Sequence, residues 1–354
     1  MYRKLFLTAL KLIAILIVSH SCRASNPPYP SSPAHKTIQI NNKEDLYIAI
    51  NKLKPNTTLK LSPGRYILHR TLVIKQNNVN IEGKSNNPED VILAGPGIYD
   101  KNNGKDMSCI WANSSNLSIK NLTIRDCYHH SIILNSGAQS PLFYNLKLIN
   151  AGSQFIKSNG NKNGKGVNFG RVELTTFEYE NGINHIDRGY GTGYFNGIDV
   201  HSGHSWTVTN NIFKNLYTNN ITTHSWSPAV LFWNNSTNIT IDNNVFINCN
   251  RAIAFGLNKK ELLNAHAQIT NNTILYNTGL FTKEKSSDSD AAIIIWGGKK
   301  VLIEGNKIIT NNQVKFSIEF RFKTANGLIK NNLIDAPLNS RNGGIYIDKN
   351  NRKI

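Results

Sequence analysis

Apolar and polar residues alternate in short segments along most of the chain, and eight of these segments share one pattern. The pattern is an aliphatic residue, any residue, Asn in most copies, Asn or an apolar residue, any residue, and an apolar residue. Alternation with a period of two is typical of a β-strand with one buried face. The third position recurs every 24 to 36 residues, which predicts a solenoid of repeated coils. The third positions are Asn121, Asn145, Leu174, Asn210, Asn243, Asn271, Gly305 and Asn331.

The Asn-Asn step at the centre of most copies predicts a bend between two strands. Asn tolerates left-handed backbone angles, and its amide can bond to backbone groups or to an Asn one coil away. Stacking of like strands at about 4.8 Å would align these amides into ladders. Helical spacing is nearly absent after residue 55, so the sequence predicts an all-β parallel solenoid in one elongated domain.

The segment before the repeats predicts a cap for the open end of this solenoid. Residues 43–53 have a short helical period, and residues 54–66 read as turn, strand and turn. An open end would expose strand edges and core, so a covering helix is expected. This arrangement resembles the pectate-lyase-like superfamily of right-handed β-helices over roughly residues 37–350. The resemblance implies a single-stranded right-handed parallel β-helix with a short N-terminal capping helix.

The N-terminal residues have the features of an export signal. Arg3 and Lys4 precede an apolar stretch, Leu10 to Val18, that is too short to span a bilayer. We therefore expect a signal peptide at residues 1–21 and a flexible tether at residues 22–36. The β-helix domain would then occupy residues 37–354, and the protein would be secreted or periplasmic.

A second form of export is also compatible with this segment. The sequence Ser19-His20-Ser21-Cys22 resembles a bacterial lipoprotein box, in which Cys22 would carry the lipid. Lipidation would attach the protein to the outer membrane, so periplasmic, secreted and lipoprotein forms stay open. In each case we expect a monomer.

Charge and cysteine content narrow the class of partner. The formal net charge of +18 favours an anionic partner such as an acidic polysaccharide, although a compositional bias of the coding genome would produce the same excess. The lysines are scattered, which together with export argues against nucleic acid. Cys127 and Cys249 both lie six residues after a third position, which predicts small buried residues and favours neither a disulfide nor a metal pair.

A second strand recurs between the asparagine motifs, and it places the candidate chemistry. Its inward aliphatic residues are predicted to be Ile132, Ile156, Ile198, Val230, Ile253, Ile293, Ile318 and Ile345. The next residue of each strand then forms an outward column of Ile133, Lys157, Asp199, Leu231, Ala254, Ile294, Glu319 and Tyr346. Two residues further along lies a second outward column of Asn135, Asn159, His201, Trp233, Gly256, Trp296, Arg321 and Asp348.

These columns predict a site that could hold a charged sugar. Lys157 and Asp199 would lie about 5 Å apart on neighbouring coils, with His201 on the same face. Trp233 would lie one coil further on. Cations pair with sugar carboxylates and aromatic rings stack on sugar faces, so this set suits a glycan. A ladder of polar residues on a solvated sheet is the alternative interpretation.

Several residues outside this set are further candidates. Arg251 begins a strand with very small outward residues, so it could reach a substrate carboxylate or form a salt bridge. Glu319 and Arg321 share one face and could simply pair with each other. Long solenoid loops commonly build binding faces, which makes the polar insertion at 182–193 a candidate. The expected secondary contacts are His185, Arg188, His204, Glu319 and Arg321.

Several longer sequence segments carry a second resemblance, which bears on activity. They look like a group of exported bacterial β-helix repeat proteins that is similar to the chondroitinase B and alginate lyase branch, and this implies contact with carbohydrate. The calcium ligands of that branch are acidic clusters, and this chain has no convincing Glu-x-Glu equivalent, so Ca²⁺ is only an open expectation. These segments are Gln154 to Lys157, Asp199 to His201, Ala229 to Trp233, Arg251 to Leu257, Ile318 to Phe322 and Asn331 to Asp335.

The favoured hypothesis is a polysaccharide lyase that cleaves an acidic polysaccharide by β-elimination at a uronate. This reaction needs a neutralised carboxylate, a base for the C5 proton and an acid for the leaving oxygen. Arg251 is expected to bind the carboxylate and Lys157 to act as base if its pKa is lowered, with His201 as a rival base or acid. Trp233 would be the sugar platform.

Two other functions stay open. The first is a non-catalytic surface or periplasmic protein that binds glycans or partners along the β-helix. The second is a glycoside hydrolase, which needs two carboxylates about 5 to 9.5 Å apart. Asp199 could be one of these carboxylates, but its partner is not evident from the sequence.

Overall fold

The computed structural model of the chain describes residues 36–100, 107–182, 193–218, 227–257, 264–288 and 290–354. Within these ranges there are two helices, α1 (Lys43–Asn51) and α2 (Lys283–Asp288). The strands in the same ranges are β1 (Lys36–Ile40), β2 (Thr57–Leu61), β3 (Gly64–Ile67), β4 (Leu72–Ile74), β5 (Val79–Gly83), β6 (Val91–Ala94), β7 (Ile110–Ala112), β8 (Ser118–Cys127), β9 (Ile132–Leu134), β10 (Leu142–Ala151), β11 (Ile156–Ser158), β12 (Arg171–Glu173), β13 (Thr176–Glu178), β14 (Ile198–His201), β15 (Thr207–Thr209), β16 (Ile212–Lys214), β17 (Pro228–Trp233), β18 (Thr237–Asp242), β19 (Val245–Ile247), β20 (Arg251–Phe255), β21 (Ala265–Thr270), β22 (Thr273–Leu275), β23 (Ala291–Ile295), β24 (Gly298–Glu304), β25 (Lys307–Ile309), β26 (Phe316–Phe320), β27 (Thr324–Ala325), β28 (Gly327–Lys330), β29 (Leu333–Ile334), β30 (Leu338–Ser340), β31 (Ile345–Ile347) and β32 (Arg352–Lys353).

The strands stack in parallel, coil upon coil, as a right-handed parallel β-helix. Within the described residues they form a sheet of 22 strands, here sheet I, and a sheet of 10 strands, here sheet II. Sheet II runs in the order β4, β7, β9, β11, β14, β17, β20, β23, β26 and β30. The inward residues of both sheets make a continuous apolar core, as a solenoid requires. The predicted fold class is confirmed.

The third position of the repeat adopts a left-handed backbone in all eight copies. Its φ lies between 51° and 68° from residue 121 to residue 331. Asn tolerates this conformation because its short side chain bonds locally, and Gly305 meets it without a Cβ. Leu174 adopts the same φ of 52° without either advantage. The predicted bend is therefore imposed by coil geometry and usually met by Asn.

The fourth position forms a ladder of buried asparagine amides inside the helix. In each step, Nδ2 of one Asn donates to Oδ1 of the Asn on the next coil at 2.9–3.0 Å. The amides also bond to backbone groups, so these buried polar atoms are satisfied and each coil is held in register. The ladder runs through Asn211, Asn244, Asn272, Asn306, Asn332 and Asn351.

Helix α1 confirms the predicted N-terminal cap. Its N-cap residue is Asn42, whose side chain accepts a hydrogen bond of 2.8 Å from the backbone N–H of Asp45. The helix buries Leu46, Tyr47 and Ala49 against the first coils. Within the described residues, no helix is long and apolar enough to cross a membrane. The expected signal peptide and nearly all of the tether lie outside the described residues.

The predicted register of sheet II is correct for seven of its coils and wrong at the last one. Ile132 through Ile318 pair in the predicted order. The partner of Ile318 is Leu338, whereas Ile345 pairs with Gly327 in sheet I. The final coil is shorter than the preceding repeats, so spacing alone overshoots to Ile345. Asn339 therefore replaces Tyr346 in the first outward column.

The structure also corrects the cysteine prediction. Cys127 forms a disulfide with Cys109, whose Cα lies 5.6 Å away, so it is not a free buried thiol. Cys249 is free and buried, as predicted. The comparison of Cys127 with Cys249 missed the bond because Cys109 precedes the first recognised repeat.

Candidate functional site

The densest group of chemically active side chains lies on the outer face of sheet II. Strands β11, β14 and β17 are neighbours, and their parallel register places Lys157 opposite Asp199. The same register places His201 opposite Trp233. Residues 199 and 201 share a strand face because side chains alternate along a strand. The structure therefore brings together Lys157, Asp199, His201 and Trp233, the main predicted set, here called the lysine–histidine cluster.

Asp199 is the centre of the lysine–histidine cluster and is fully buried. Its Oδ2 lies 2.5 Å from Nζ of Lys157 and accepts a hydrogen bond of 3.1 Å from the hydroxyl of Tyr194. Its Oδ1 accepts a hydrogen bond of 2.9 Å from the indole N–H of Trp233. A buried carboxylate needs such partners to offset its desolvation. Asp199 therefore orients its neighbours and has no surface for a substrate.

His201 is the partly exposed basic group of the cluster. Burial lowers the pKa of His201 to about 4; the charge of Asp199 opposes this shift and that of Lys157 adds to it. The imidazole is thus neutral at pH 7. Nζ of Lys157 lies 2.7 Å from Nε2 and donates to it, so the ring proton is on Nδ1.

The orientation of the His201 ring is fixed from two further sides. Its Nδ1 lies 3.2 Å from the side-chain amide nitrogen of Asn234, and amide orientation follows from the network, so the oxygen of Asn234 can accept the Nδ1 proton. The Trp233 ring packs edge-on against the imidazole, with centroids 4.1 Å apart. Trp233 thus contacts both His201 and Asp199, and its predicted role as the sugar platform stays a prediction.

Arg251, Glu319 and Arg321 belong to a separate group further along sheet II. Arg251 is on β20, three strands from the strand of Lys157, or about 14 Å at the usual strand spacing. Its guanidinium is buried, pairs with Asp290 and lies over the Trp296 ring. The structure therefore does not bring Arg251 to the lysine–histidine cluster.

The same group contains the other predicted ion pair, Glu319 with Arg321. Arg321 lies 2.5 Å from Asp290 and 2.7 Å from Glu319. Glu319 is fully buried and also binds Arg341 at 2.6 Å. Two carboxylates and three guanidinium groups thus form one ion-pair network, which is the pairing interpretation of Glu319 and Arg321.

Of the remaining predicted contacts, only His204 lies within the described residues. His204 is exposed at the turn after β14, where its Nδ1 lies 2.7 Å from the hydroxyl of Thr237 in sheet I. His185 and Arg188 lie outside the described residues. Tyr194 and Asn234 were missed by the sequence reasoning. The one signal for Tyr194 was its position in the polar segment just before Asp199.

Calcium does not fit the lysine–histidine cluster. Ca²⁺ takes six to eight oxygen ligands, usually from several carboxylates. Asp199 supplies the carboxylate of this cluster, and both of its oxygens are already engaged by donors. Within the described residues, no group of three or more His, Cys, Asp or Glu side chains could hold a metal ion.

Comparisons with known proteins agree with the fold. The family profile described as "Right handed beta helix region" matches residues 196–354. Among solved structures, an alginate lyase from Paenibacillus sp. str. FPU-7 aligns with a TM-score of 0.59 at 11% identity, covering 87% of this chain and 98% of the lyase. None of the curated proteins compared with the chain matches it.

Two further solved structures are similar in fold. The tailspike protein of E. coli bacteriophage HK620 in complex with a pentasaccharide aligns with a TM-score of 0.53 at 12% identity. That alignment covers 90% of this chain and 59% of the tailspike. The alginate lyase AlyF-OU02 in complex with G6 aligns with a TM-score of 0.51 at 14% identity, covering 89% of this chain and 64% of the lyase.

Proposed function

We propose that this protein cleaves an acidic, uronate-containing polysaccharide by β-elimination at the lysine–histidine cluster. The observation that carries the proposal is the pairing of a neutral imidazole, His201, with the cationic Lys157 on a partly open sheet face. Abstraction of the C5 proton requires a neutral base beside a cation that stabilises the adjacent carboxylate. The alginate lyases and the glycan-bound tailspike of similar fold support a carbohydrate substrate.

The roles differ from those expected from the sequence. Lys157 takes the place of Arg251 as the partner of the uronate carboxylate, because Arg251 is buried against Asp290. His201 takes the place of Lys157 as the base, because its imidazole is neutral and Lys157 is held beside Asp199. Tyr194 is the proton donor.

The proton and electron balance of the step is as follows. When the Lys157 ammonium turns from Nε2 of His201 to the uronate carboxylate, the freed Nε2 lone pair accepts the C5 proton, while the C5–H electron pair forms the C4–C5 double bond. The C4–O bond breaks, and the leaving glycosidic oxygen takes its electron pair together with the proton of Tyr194. The imidazolium then returns its proton to the tyrosinate through solvent. Asp199 holds Lys157 and Trp233 in place, and it holds the Tyr194 hydroxyl until that proton passes to the leaving oxygen.

The proposed place of action is outside the cytoplasm, in the periplasm, in the medium or as a lipoprotein anchored at Cys22. The disulfide between Cys109 and Cys127 supports this, because disulfides persist mainly in oxidising compartments. Fractionation of cells that express the full chain tests the location. Labelling with a radioactive fatty acid, compared with the Cys22→Ala variant, tests lipidation.

The activity test uses the ultraviolet absorbance of the unsaturated uronate that only elimination creates. The protein is incubated with alginate, pectate, chondroitin, dermatan, heparin and hyaluronan, with and without calcium. We expect absorbance to rise on one polymer and to be lost in His201→Asn. The matched control is His204→Gln, which changes an exposed histidine away from the cluster and should retain full activity.

A second candidate is a protein that binds glycans without cleaving them. The observation in its favour is that Asp199, Lys157 and His201 satisfy one another closely. A flat absorbance trace together with measurable polymer binding would favour this function. A rise in reducing sugar without absorbance would instead indicate hydrolysis.

A further inference from the structure

The outer face of sheet II continues past Lys157 toward the N-terminal coils. Ile133 is the register partner of Lys157, Trp111 is the partner of Ile133, and Val73 is the partner of Trp111. Val73 is 40% exposed, and Trp111 and Ile133 are partly exposed. These side chains border a groove of about 480 Å³, here called the N-terminal groove. It is lined by Thr71, Val73, Lys75, Ser108, Trp111, His129 and Ile133.

On the other side of the cluster, the same face is closed. The outward residues of the next coils are Leu231, Ala254 and Ile294, and each is at most 1% exposed. They form a buried apolar group with Trp296. Among the described residues, therefore, the face is open on the N-terminal side of Lys157 and buried on the C-terminal side.

The composition of the N-terminal groove points to one class of occupant. A partly exposed tryptophan next to apolar Val73 and Ile133 offers a flat surface to the apolar face of a sugar ring. Lys75 is exposed, lies two residues from Val73 on the same face, and can pair with a carboxylate. Strand spacing places Trp111 about 10 Å from the strand of Lys157, within reach of the same polymer.

We propose that the N-terminal groove binds the part of an acidic glycan chain that extends from the lysine–histidine cluster, with Trp111 as the sugar platform. This inference rests on the proposed function for the identity of the ligand class. It adds a direction, because the bound chain runs from Lys157 toward Val73 and not toward Leu231. The sugar platform expected at Trp233 is thereby assigned to Trp111.

The test is calorimetric binding of defined di- and hexasaccharides of alginate, pectate and chondroitin, with every protein, the wild-type reference included, carrying His201→Asn so that no chain is cleaved. A hexasaccharide reaches the N-terminal groove from the cluster, whereas a disaccharide occupies the cluster alone. We expect Trp111→Ala to weaken binding of the hexasaccharide at least tenfold and to leave disaccharide binding unchanged. Lys75→Gln should have a smaller effect in the same direction, and Trp111→Phe should retain most of the affinity.

The control is Phe169→Ala, which removes an exposed aromatic ring that packs edge-on against His204. It should leave both affinities unchanged. Wild-type affinity of Trp111→Ala for the hexasaccharide would overturn the inference, and so would failure of the wild-type protein to bind any of these hexasaccharides. Self-association that disappears in Trp111→Ala, without glycan binding, would assign the face to a second copy. Hexasaccharide binding in this titration, together with no unsaturated product from the protein with His201 intact, would overturn the elimination reaction but not the groove.

Discussion

The carboxylate of Asp199 lies 2.5 Å from the ammonium nitrogen of Lys157 on the neighbouring coil, and Asp199 is fully buried. The two residues are 42 positions apart in the chain and become neighbours through strand register alone. Lys157 also reaches His201, so the pair links a buried anion to a partly open base. The contacts of Lys157 therefore contribute both to stability and to the proposed reaction.

Loss of Lys157 should cost both activity and stability. Lys157→Met leaves the buried carboxylate of Asp199 without its cation, which we expect to lower the free energy of unfolding by about 3–5 kcal/mol. The double variant Lys157→Met/Asp199→Asn removes the uncompensated charge and should recover most of this loss. Urea unfolding of four proteins measures the coupling in a double-mutant cycle. They are the wild-type protein, the single variants Lys157→Met and Asp199→Asn, and the double variant.

The same four proteins separate structure from function. Uronate elimination should stay absent in the double variant even though its stability is restored. Recovery of turnover in Lys157→Met/Asp199→Asn would show that Lys157 has no role in the reaction. A loss in the double variant equal to the sum of the losses in the two single variants would instead show that the pair is not coupled.

The pH dependence of activity should reflect the neutral state of His201. Because burial lowers the pKa of His201 to about 4, the acidic limb of kcat/KM should lie near pH 4 and not near the usual histidine value of about 6.5. Lys157 and Asp199 are the charged groups in contact with the ring. Measurement of kcat/KM from pH 3.5 to 8 on the cleaved polymer tests this. An acidic limb centred near pH 6.5 would exclude His201 as a buried base.

The pH dependence of the free energy of unfolding should also reflect the lowered pKa of His201. The pKa of His201 is lower in the folded state, so the unfolded state binds more protons between about pH 6.5 and pH 4. The stabilising contribution is complete above pH 6.5 and is lost as the pH falls toward 4, by up to about 3 kcal/mol. We expect the free energy of unfolding of His201→Asn to fall less steeply over this range. Parallel slopes for the variant and the wild-type protein would contradict the prediction.

Repetition explains which features the sequence predicted well. The outward pairing of Lys157 with Asp199 follows from the alternation of side chains along each strand and from the stacking of equivalent strands on neighbouring coils. The left-handed bends are imposed by coil geometry, and the Asn at most third positions marks where they occur. Each of these features depends on local residue type and on stacking of like with like.

Features outside the repeat could not be obtained in this way. The partner of Arg251 is Asp290, 39 residues away in a segment that follows no pattern. Tyr194 reaches Asp199 from such a segment too, and Trp111 precedes the first strand that the pattern identified. The lowered pKa of His201 depends on burial, which strand alternation does not reveal because outward residues range from exposed to fully buried.

The buried asparagine ladder should be a main determinant of stability. Asn272 donates to Oδ1 of Asn306 and to the backbone carbonyl of Ile241, and its own Oδ1 accepts from Asn244. Asn272→Ala leaves buried partners unsatisfied, so we expect a loss of roughly 2–4 kcal/mol in the free energy of unfolding. The adjacent Asn271→Gly is the matched control.

The control separates amide bonding from backbone conformation. Asn271 has a φ of 53°, which glycine adopts without strain, so Asn271→Gly should change stability by less than about 1 kcal/mol. Urea unfolding of both variants gives the comparison. Because glycine keeps the bend, equal losses in the two variants would mean that the exposed hydrogen bond from Asn271 to Asp242 contributes as much as the buried ladder.

The disulfide between Cys109 and Cys127 should stabilise the N-terminal coils. It closes a loop with a sequence separation of 18, for which chain entropy predicts a contribution of about 3 kcal/mol. The double variant Cys109→Ser/Cys127→Ser should therefore unfold at a lower temperature, and a reductant should lower the Tm of the wild-type protein but not that of the variant. Cys249→Ala keeps the bond and should keep its sensitivity to the reductant, because Cys249 is a free thiol. Two results together would show that the bond does not form. The Tm of the wild-type protein would not change with the reductant, and the denatured protein would titrate the same number of free thiols before and after reduction.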